Sequence, residues 1–211
     1  ADLENALIFG RFKNKLPSVL GGFSHRPYKI RHRFMNRAWT ARPTPILDQF
    51  SVDMTDLART GKVGFLIGHH DEYDRMVDIL ARLSRPNILL VGDPGAGKET
   101  LVNHLAFKIS KDEVPPELFD KRLVMLQIGS LVSGAEMAEL QKRINSIVEE
   151  IIQAGNIILY IPEVHNLVKT SARAGLNAAD ILLPAISSSA FSVIGATNPQ
   201  EYKRSLEPQV F

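Results

Sequence analysis

The 211-residue sequence contains no cysteine, which excludes disulfide frameworks and thiolate metal sites. It also lacks any run of about 18 consecutive apolar residues, the length that a bilayer-spanning helix needs. The N-terminus has neither the charged start nor the apolar middle of a secretory signal. The absence of cysteine is compatible with a reducing compartment, and we therefore expect a soluble, cytoplasmic protein.

The hydrophobic content of 45% in a chain of this length is enough to bury the core of one α/β domain of ordinary size, with residues to spare. The chain begins with Ala1 rather than Met and ends at Phe211 without a capping or tail-like composition. We expect it to be part of a longer protein.

Charge is distributed unevenly around the total of +2. Residues 1–45 contain nine Lys or Arg against Asp2 and Glu4, a net charge of +7, which leaves −5 for the remainder. A basic segment of this kind is a candidate tether to an anionic membrane surface and, less favoured here, a contact for nucleic acid. We favour the simpler interpretation of a solvated linker.

Residues 1–45 show neither helical nor strand periodicity and end in Arg42-Pro43-Thr44-Pro45, whose prolines favour extended backbone. The sequence therefore predicts two parts: an irregular basic linker or extension over 1–45 and a globular domain over 46–211.

Within the domain, apolar residues alternate between helical spacing and short buried runs. Helices are predicted from Leu47 to about Leu57, and then over about 71–83, 98–109, 136–153 and 178–186. Strands are predicted at 88–91, 123–128, 157–161 and 191–195, the first of them buried on both faces. Strands that alternate with helices predict a parallel sheet covered by helices on both faces.

A glycine-rich turn follows the first predicted strand and opens a predicted helix, as G-x-x-x-x-G-K from Gly92 to Lys98. Such a turn lets successive backbone N–H groups face an anion, the helix N-terminus adds positive potential, and the lysine supplies a charge to the terminal phosphates. The motif predicts a nucleotide-binding P-loop NTPase. The predicted cofactor-binding residues of the loop are Asp93, Pro94, Gly95, Ala96, Gly97, Lys98, Glu99 and Thr100.

The eighth position of this motif is normally Ser or Thr, whose hydroxyl ligates Mg²⁺, and here it is Glu99. A carboxylate at this position lies beside the phosphate charge, so repulsion competes with metal binding. Thr100 is turned by about 100° along the helix and cannot take over the role. The sequence thus predicts ATP as the cofactor and puts Mg²⁺ in doubt.

Seven short segments in the same order resemble the first ATPase module of Clp-type protein unfoldases of the AAA+ family, over about three quarters of the chain. They are residues 47–59, 67–68, 92–98, 129–132, 163–168, 177–185 and 194–198. The resemblance implies a P-loop AAA+ fold with Ile67 and Gly68 at the adenine, Glu163 polarising the attacking water and Asn198 as the sensor that orients it.

The resemblance also identifies departures from the family pattern. The family's Asp before the catalytic Glu is Pro162 here, so a second Mg²⁺ anchor is replaced, and we identify no metal ligands. In the loop that grips substrate, Glu136 and Met137 replace a basic and an aromatic residue, although Met137 is at least as well explained as the start of a helix core face. The family's arginine finger and helical lid do not occur before Phe211.

Two functions therefore stay open. The first is the ATP-binding core of a Clp-type unfoldase that acts on protein substrates in a ring with neighbouring AAA+ subunits, and that could feed a protease. The second is a pseudo-ATPase that keeps the fold as a structural or regulatory module, which Glu99 and Pro162 favour. His69, His70 and His165 lack partners at metal-ligand spacing, and we expect surface or core histidines.

Overall fold

The computed structural model describes residues 42–63, 68–82, 86–166 and 190–206. Within these ranges, five strands and seven helices alternate along the chain, with a 3-10 turn at Pro116–Leu118 and a π-helical turn at Tyr202–Leu206. The elements are α1 (Pro45–Gln49), β1 (Ser51–Asp53), α2 (Met54–Arg59), α3 (His70–Leu80), β2 (Ile88–Val91), α4 (Lys98–Lys111), β3 (Arg122–Leu126), α5 (Ile128–Val132), α6 (Met137–Ala154), β4 (Ile157–Ile161), β5 (Ser192–Thr197) and α7 (Pro199–Glu201).

The strands form one sheet in the order β1-β3-β4-β5-β2. The four strands β3, β4, β5 and β2 are parallel, and Tyr160 in the central strand β4 pairs with Met125 on one side and Ile194 on the other. Strand β1 runs antiparallel to β3. The predicted parallel sheet is thus confirmed for four strands and corrected at one edge.

The single helix predicted from Leu47 to Leu57 is wrong. The structure has α1, then β1, then α2, because Ser51, Val52 and Asp53 pair with β3. Asp53 then starts α2 as its N-cap and accepts a hydrogen bond from the backbone N–H of Asp56 at 3.0 Å. The apolar spacing in this segment suits a helix, but long-range strand pairing overrides that local preference.

Helices cover both faces of the sheet, as predicted. On one face, α2, α3 and α4 bury a cluster that includes Val102, Leu105 and Ile109 against the sheet. On the other face, α1, α5 and α6 bury a second cluster, to which α6 contributes Leu140, Ile144, Ile147 and Ile151. At about 1.5–3 kcal/mol for each large buried side chain, these two layers supply most of the energy that holds the sheet in place.

Two strand predictions need correction. The strand predicted to run to Ile128 ends at Leu126, because Gln127 is already the N-cap of α5 and Ile128 is the first residue of that helix. Strand β2 is not buried on both faces: Leu89 is 39% and Val91 45% exposed. β2 lies at the end of the strand order, where only one of its edges pairs with another described strand.

Other predictions agree with the structure to within a few residues, and 157–161 agrees at both ends. The predicted helix at 178–186 and residues 1–41 of the basic extension lie outside the described residues, so the boundary at 45 stays a prediction. In the described ranges, no helix is both long enough and apolar enough to cross a membrane.

The first strand and first helix are attached to the sheet by Arg122. Its guanidinium donates to Asp53 Oδ2 at 2.6 Å, to Thr44 Oγ1 at 2.7 Å and to Asp48 Oδ1 at 2.5 Å. Burial by itself lowers the pKa of Arg122, but the hydrogen bonds and charges of Asp53 and Asp48 outweigh it, so the pKa is raised. Two of the acceptors, Asp48 and Asp53, lie in the segment that the helix prediction misplaced, and Thr44 lies just before it.

Replacing Arg122 with lysine is expected to lower the free energy of unfolding by about 1–3 kcal/mol. A single ammonium cannot donate to all three acceptors with the geometry of the planar guanidinium. Urea unfolding followed by circular dichroism measures the change. The matched control is Arg75→Lys, at an exposed position of α3, where a change below about 0.5 kcal/mol is expected. Equal losses in the two variants would contradict the role given to Arg122.

Candidate functional site

The glycine-rich turn lies where the sequence predicts it, between β2 and α4 at the carboxyl end of the parallel strands. Ligands of open α/β sheets bind at this edge. The turn is joined to the neighbouring strand by a hydrogen bond from the Gly92 N–H to the Thr197 carbonyl, 3.2 Å long. Its position is therefore fixed by the sheet.

Two glycines allow the turn to curl. Gly95 has a φ of +83° and Gly97 a φ of +84°, in the left-handed region that residues with a Cβ rarely occupy. Gly97 is the N-cap of α4 and offers no side chain to its first N–H groups. These donors and the positive end of a 14-residue helix are therefore available to an anion.

Lys98 lies over the turn. Its Nζ donates to the carbonyl oxygens of Gly92 at 2.6 Å and Asp93 at 2.9 Å. The Ala96 N–H also donates to the Asp93 carbonyl, at 3.1 Å. The ammonium thus stabilises the turn, and it lies close to the backbone N–H groups before any phosphate binds.

A cavity of about 910 Å³ opens beside the turn. Eight predicted site residues line it: Pro94, Gly95, Gly97, Lys98, Glu99, Thr100, Glu163 and Asn198. Asp93 and Ala96 belong to the turn but not to the cavity wall. The structure therefore brings together three segments that are far apart in sequence, and the cavity is large enough for a nucleotide.

Glu163 follows the central strand in a strained conformation. Its φ of +51° is unusual for a non-glycine residue and costs on the order of 1–3 kcal/mol. Its carboxylate accepts a hydrogen bond from Asn166 Nδ2 at 2.7 Å, which fixes the orientation of the side chain. An exposed carboxylate held at the cavity wall suits the base predicted here.

Asn198 also lies at the cavity, directly after β5. Its Oδ1 accepts from the Glu201 N–H at 2.8 Å, so the side chain caps α7. The cap leaves the amide NH₂ group as the donor that Asn198 can offer to a ligand.

The adenine segment is described only in part, because Ile67 lies outside the described residues. Gly68 has a φ of +78° and does not line the cavity. The next residue, His69, places its ring 3.9 Å from where a Cβ on Gly97 would lie. The start of α3 therefore reaches the phosphate loop, although this edge of the site was predicted from the resemblance alone.

Sequence reasoning missed Tyr160. It lies in β4 with only 2% of its surface exposed, and it lines the cavity. Burial, together with the negative charges of Glu99 and Glu163, raises its pKa to about 12. Strand alternation could have revealed it, because residues two apart share a face and Tyr160 precedes Pro162 by two.

A buried polar pair also escaped prediction. His165 Nδ1 lies 3.1 Å from Thr197 Oγ1, both residues are buried, and both line the cavity. The contact joins the turn after β4 to the end of β5. The two residues lie close together because β4 and β5 pair in the sheet. His165 is thus a core histidine, whereas His69 and His70 are exposed, as expected.

The two positions where the resemblance implies Mg²⁺ ligands have other residues here. Pro162 has no side-chain oxygen, and Glu99 places an exposed carboxylate where a hydroxyl is usual. Over the parts of the chain that the structure describes, no group of three or more His, Cys, Asp or Glu residues is arranged to hold a metal ion.

Comparisons with known proteins agree with this geometry. Residues 88–210 match the family described as "ATPase family associated with various cellular activities (AAA)". The chaperone protein ClpB of Aquifex aeolicus is 39% identical over 163 residues, which cover 76% of this chain and 16% of ClpB. The ATP-binding subunit ClpC of the Clp protease of Staphylococcus epidermidis is 39% identical over 166 residues, 78% of this chain and 20% of ClpC.

A solved structure shows the same fold. The Saccharomyces cerevisiae Hsp104–ADP complex superposes with a TM-score of 0.68 at 32% identity, over 78% of this chain and 24% of Hsp104. The chain therefore belongs to the AAA ATPase family and has the Clp type of AAA+ module. It spans 16–20% of the length of these two Clp relatives.

Proposed function

We propose that this chain is the ATP-binding core of a Clp-type remodelling subunit. The observation that carries the proposal is the curled turn at the carboxyl edge of the sheet, with Lys98 over it and the open start of α4 behind it. In this proposal the backbone N–H groups and Lys98 hold the phosphates. Ile67 and Gly68 lie at the adenine.

Two further residues have roles in hydrolysis if it occurs. Glu163, oriented by Asn166, accepts the proton of the water that attacks the terminal phosphate. Asn198, fixed by its cap on α7, donates to that water. Both lie at the ends of neighbouring parallel strands, so the sheet sets the distance between them.

A second candidate is supported by Glu99 and Pro162: a pseudo-ATPase in which the fold serves as a structural or regulatory module. Neutralisation of phosphate charge by metal is a main contribution to phosphoryl transfer. Neither expected anchor is present, and Glu99 adds a negative charge beside the phosphates. On this proposal nucleotide binds with little dependence on Mg²⁺ and is not turned over.

Partners and location are proposals by similarity to the relatives. ClpC is described as an ATP-binding subunit of a protease and ClpB as a chaperone. We propose protein substrates and neighbouring AAA+ subunits in a ring as partners, with a protease as a further one, and a cytoplasmic location. A membrane tether would act through the basic residues before 46, most of which lie outside the described ranges.

Calorimetric titration of the full chain with ATP, with and without Mg²⁺, tests the proposal together with a phosphate-release assay. Micromolar binding establishes the nucleotide site. Release that Glu163→Gln abolishes without weakening ATP binding identifies an ATPase, and binding without release identifies the pseudo-ATPase. No binding of ATP or ADP would contradict the first proposal and leave the pseudo-ATPase as a structural or regulatory module that binds no nucleotide.

A further inference from the structure

We propose that Tyr160 is a further nucleotide-binding residue, whose hydroxyl donates a hydrogen bond to the terminal phosphate of a nucleoside triphosphate and so favours triphosphate over diphosphate. The inference rests on the proposed function of the site. Nothing in the phosphate-loop motif or in the spacing of the predicted site residues assigns this role to the central strand.

The position of Tyr160 is fixed by the core. It belongs to the buried cluster beneath α4, together with Leu101 and Leu105, and β4 holds its backbone between two parallel neighbours. Yet the same side chain lines the cavity. In this proposal the hydroxyl, at the tip of the side chain, is the part of the residue that faces the cavity.

The residues that line the cavity together with Tyr160 indicate which part of a nucleotide its hydroxyl would meet. Glu99 follows the lysine of the phosphate loop, and Glu163 is the residue proposed to polarise the attacking water. Both line the same cavity as Tyr160, and their negative charges contribute to its raised pKa. The space between a phosphate-loop residue and that base is where the terminal phosphate lies during hydrolysis. A diphosphate does not fill this space.

The hydroxyl is suited to donate. With a pKa of about 12 it carries its proton at neutral pH. Within the described part of the chain no hydrogen-bond partner of Tyr160 is found, and the Glu163 carboxylate already accepts from Asn166. A neutral donor in a cavity that also holds two carboxylates offsets part of their repulsion of phosphate, which matters most where no metal neutralises the charge.

Tyr160→Phe in the full chain tests the inference, with ATP and ADP titrated separately in EDTA and in Mg²⁺. The Kd for ATP is expected to rise about tenfold and that for ADP less than about twofold, the effect of losing one hydrogen bond to a charged group. The matched control is Tyr73→Phe. Tyr73 has the same raised pKa of about 12, its buried hydroxyl has no partner in the described structure, and it lies outside the cavity wall. Both Kd values should stay unchanged in that control.

Three outcomes overturn the inference: unchanged ATP affinity, equal weakening for ATP and ADP, or a lower thermal unfolding temperature with an unchanged ATP-to-ADP ratio. They are distinguishable from failure of the proposed function. If the unmodified chain binds neither nucleotide, both proposals fail; if it binds ATP and Tyr160→Phe has no selective effect, the phosphate site stands and only the role of Tyr160 falls.

Discussion

Replacing Lys98 with alanine is expected to weaken ATP binding about 100-fold or more. The ammonium makes two hydrogen bonds to turn carbonyls, at 2.6 and 2.9 Å. Its removal therefore takes away a positive charge that would bind the phosphates and two hydrogen bonds that stabilise the turn. Each contact to a charged group contributes about 1.5–3 kcal/mol, and about 1.4 kcal/mol corresponds to a factor of ten in affinity. Calorimetric titration of the full chain measures the change.

Lys111→Ala is the control for this experiment. Lys111 carries the same charge at the opposite end of the same helix, and its Nζ lies 5.6 Å from the centroid of the Phe107 ring. Its removal should leave the Kd for ATP within about twofold, since a charge separated from the phosphate loop by the whole length of the helix is largely screened. If the Lys98→Ala protein is folded and its Kd for ATP equals that of the Lys111→Ala protein, the proposed phosphate site is ruled out.

The double substitution Glu99→Thr with Pro162→Asp is expected to make ATP binding depend on Mg²⁺. Together the changes supply the hydroxyl and the carboxylate that are missing, and they move one negative charge from position 99 to position 162. We expect Mg²⁺ to tighten ATP binding about tenfold or more in the double variant and less than about threefold in the unmodified chain. Titrations in EDTA and in Mg²⁺ measure the ratio.

The two single substitutions are the controls for this pair. Each restores one anchor, so each should give a smaller Mg²⁺ effect than the double variant, and the excess in the double variant measures their coupling. Pro162 lies just beyond the end of β4, so an aspartate there disturbs no strand pairing. If Mg²⁺ tightened ATP binding by the same factor in the unmodified chain as in the double variant, Glu99 and Pro162 would not be what limits the effect of Mg²⁺ at this site.

The phosphate loop, strand β4 and the long helix α6 could be predicted because their signals are local. Gly95 and Gly97 are needed for a left-handed turn whatever surrounds them, and α6 repeats its apolar residues over four turns. The edge strand β1 could not be predicted. Its three residues have no strand pattern of their own, and they are extended because β3 offers them a free edge.

The site shows the same division. The spacing of the glycine-rich turn predicts Lys98, the family resemblance implies Glu163 and Asn198, and the structure places all three at one cavity. Tyr160 and the contact between His165 and Thr197 belong to no such motif. Strand alternation alone could have grouped Tyr160 with Pro162, but the contact between His165 and Thr197 arises only because β4 lies beside β5.

By itself, then, the sequence determined the glycine-rich turn and the lysine that ends its motif, because these depend on residue type and short spacing, and the resemblance marked Glu99 and Pro162 as departures from the family pattern. Only the tertiary structure decided which strand lies at each edge, how Arg122 joins α1 and β1 to the sheet, and that the buried Tyr160 lines the cavity. The physical reason is that strand order and burial are set by the packing of the whole chain, whereas a phosphate loop is set by the backbone freedom of a few glycines.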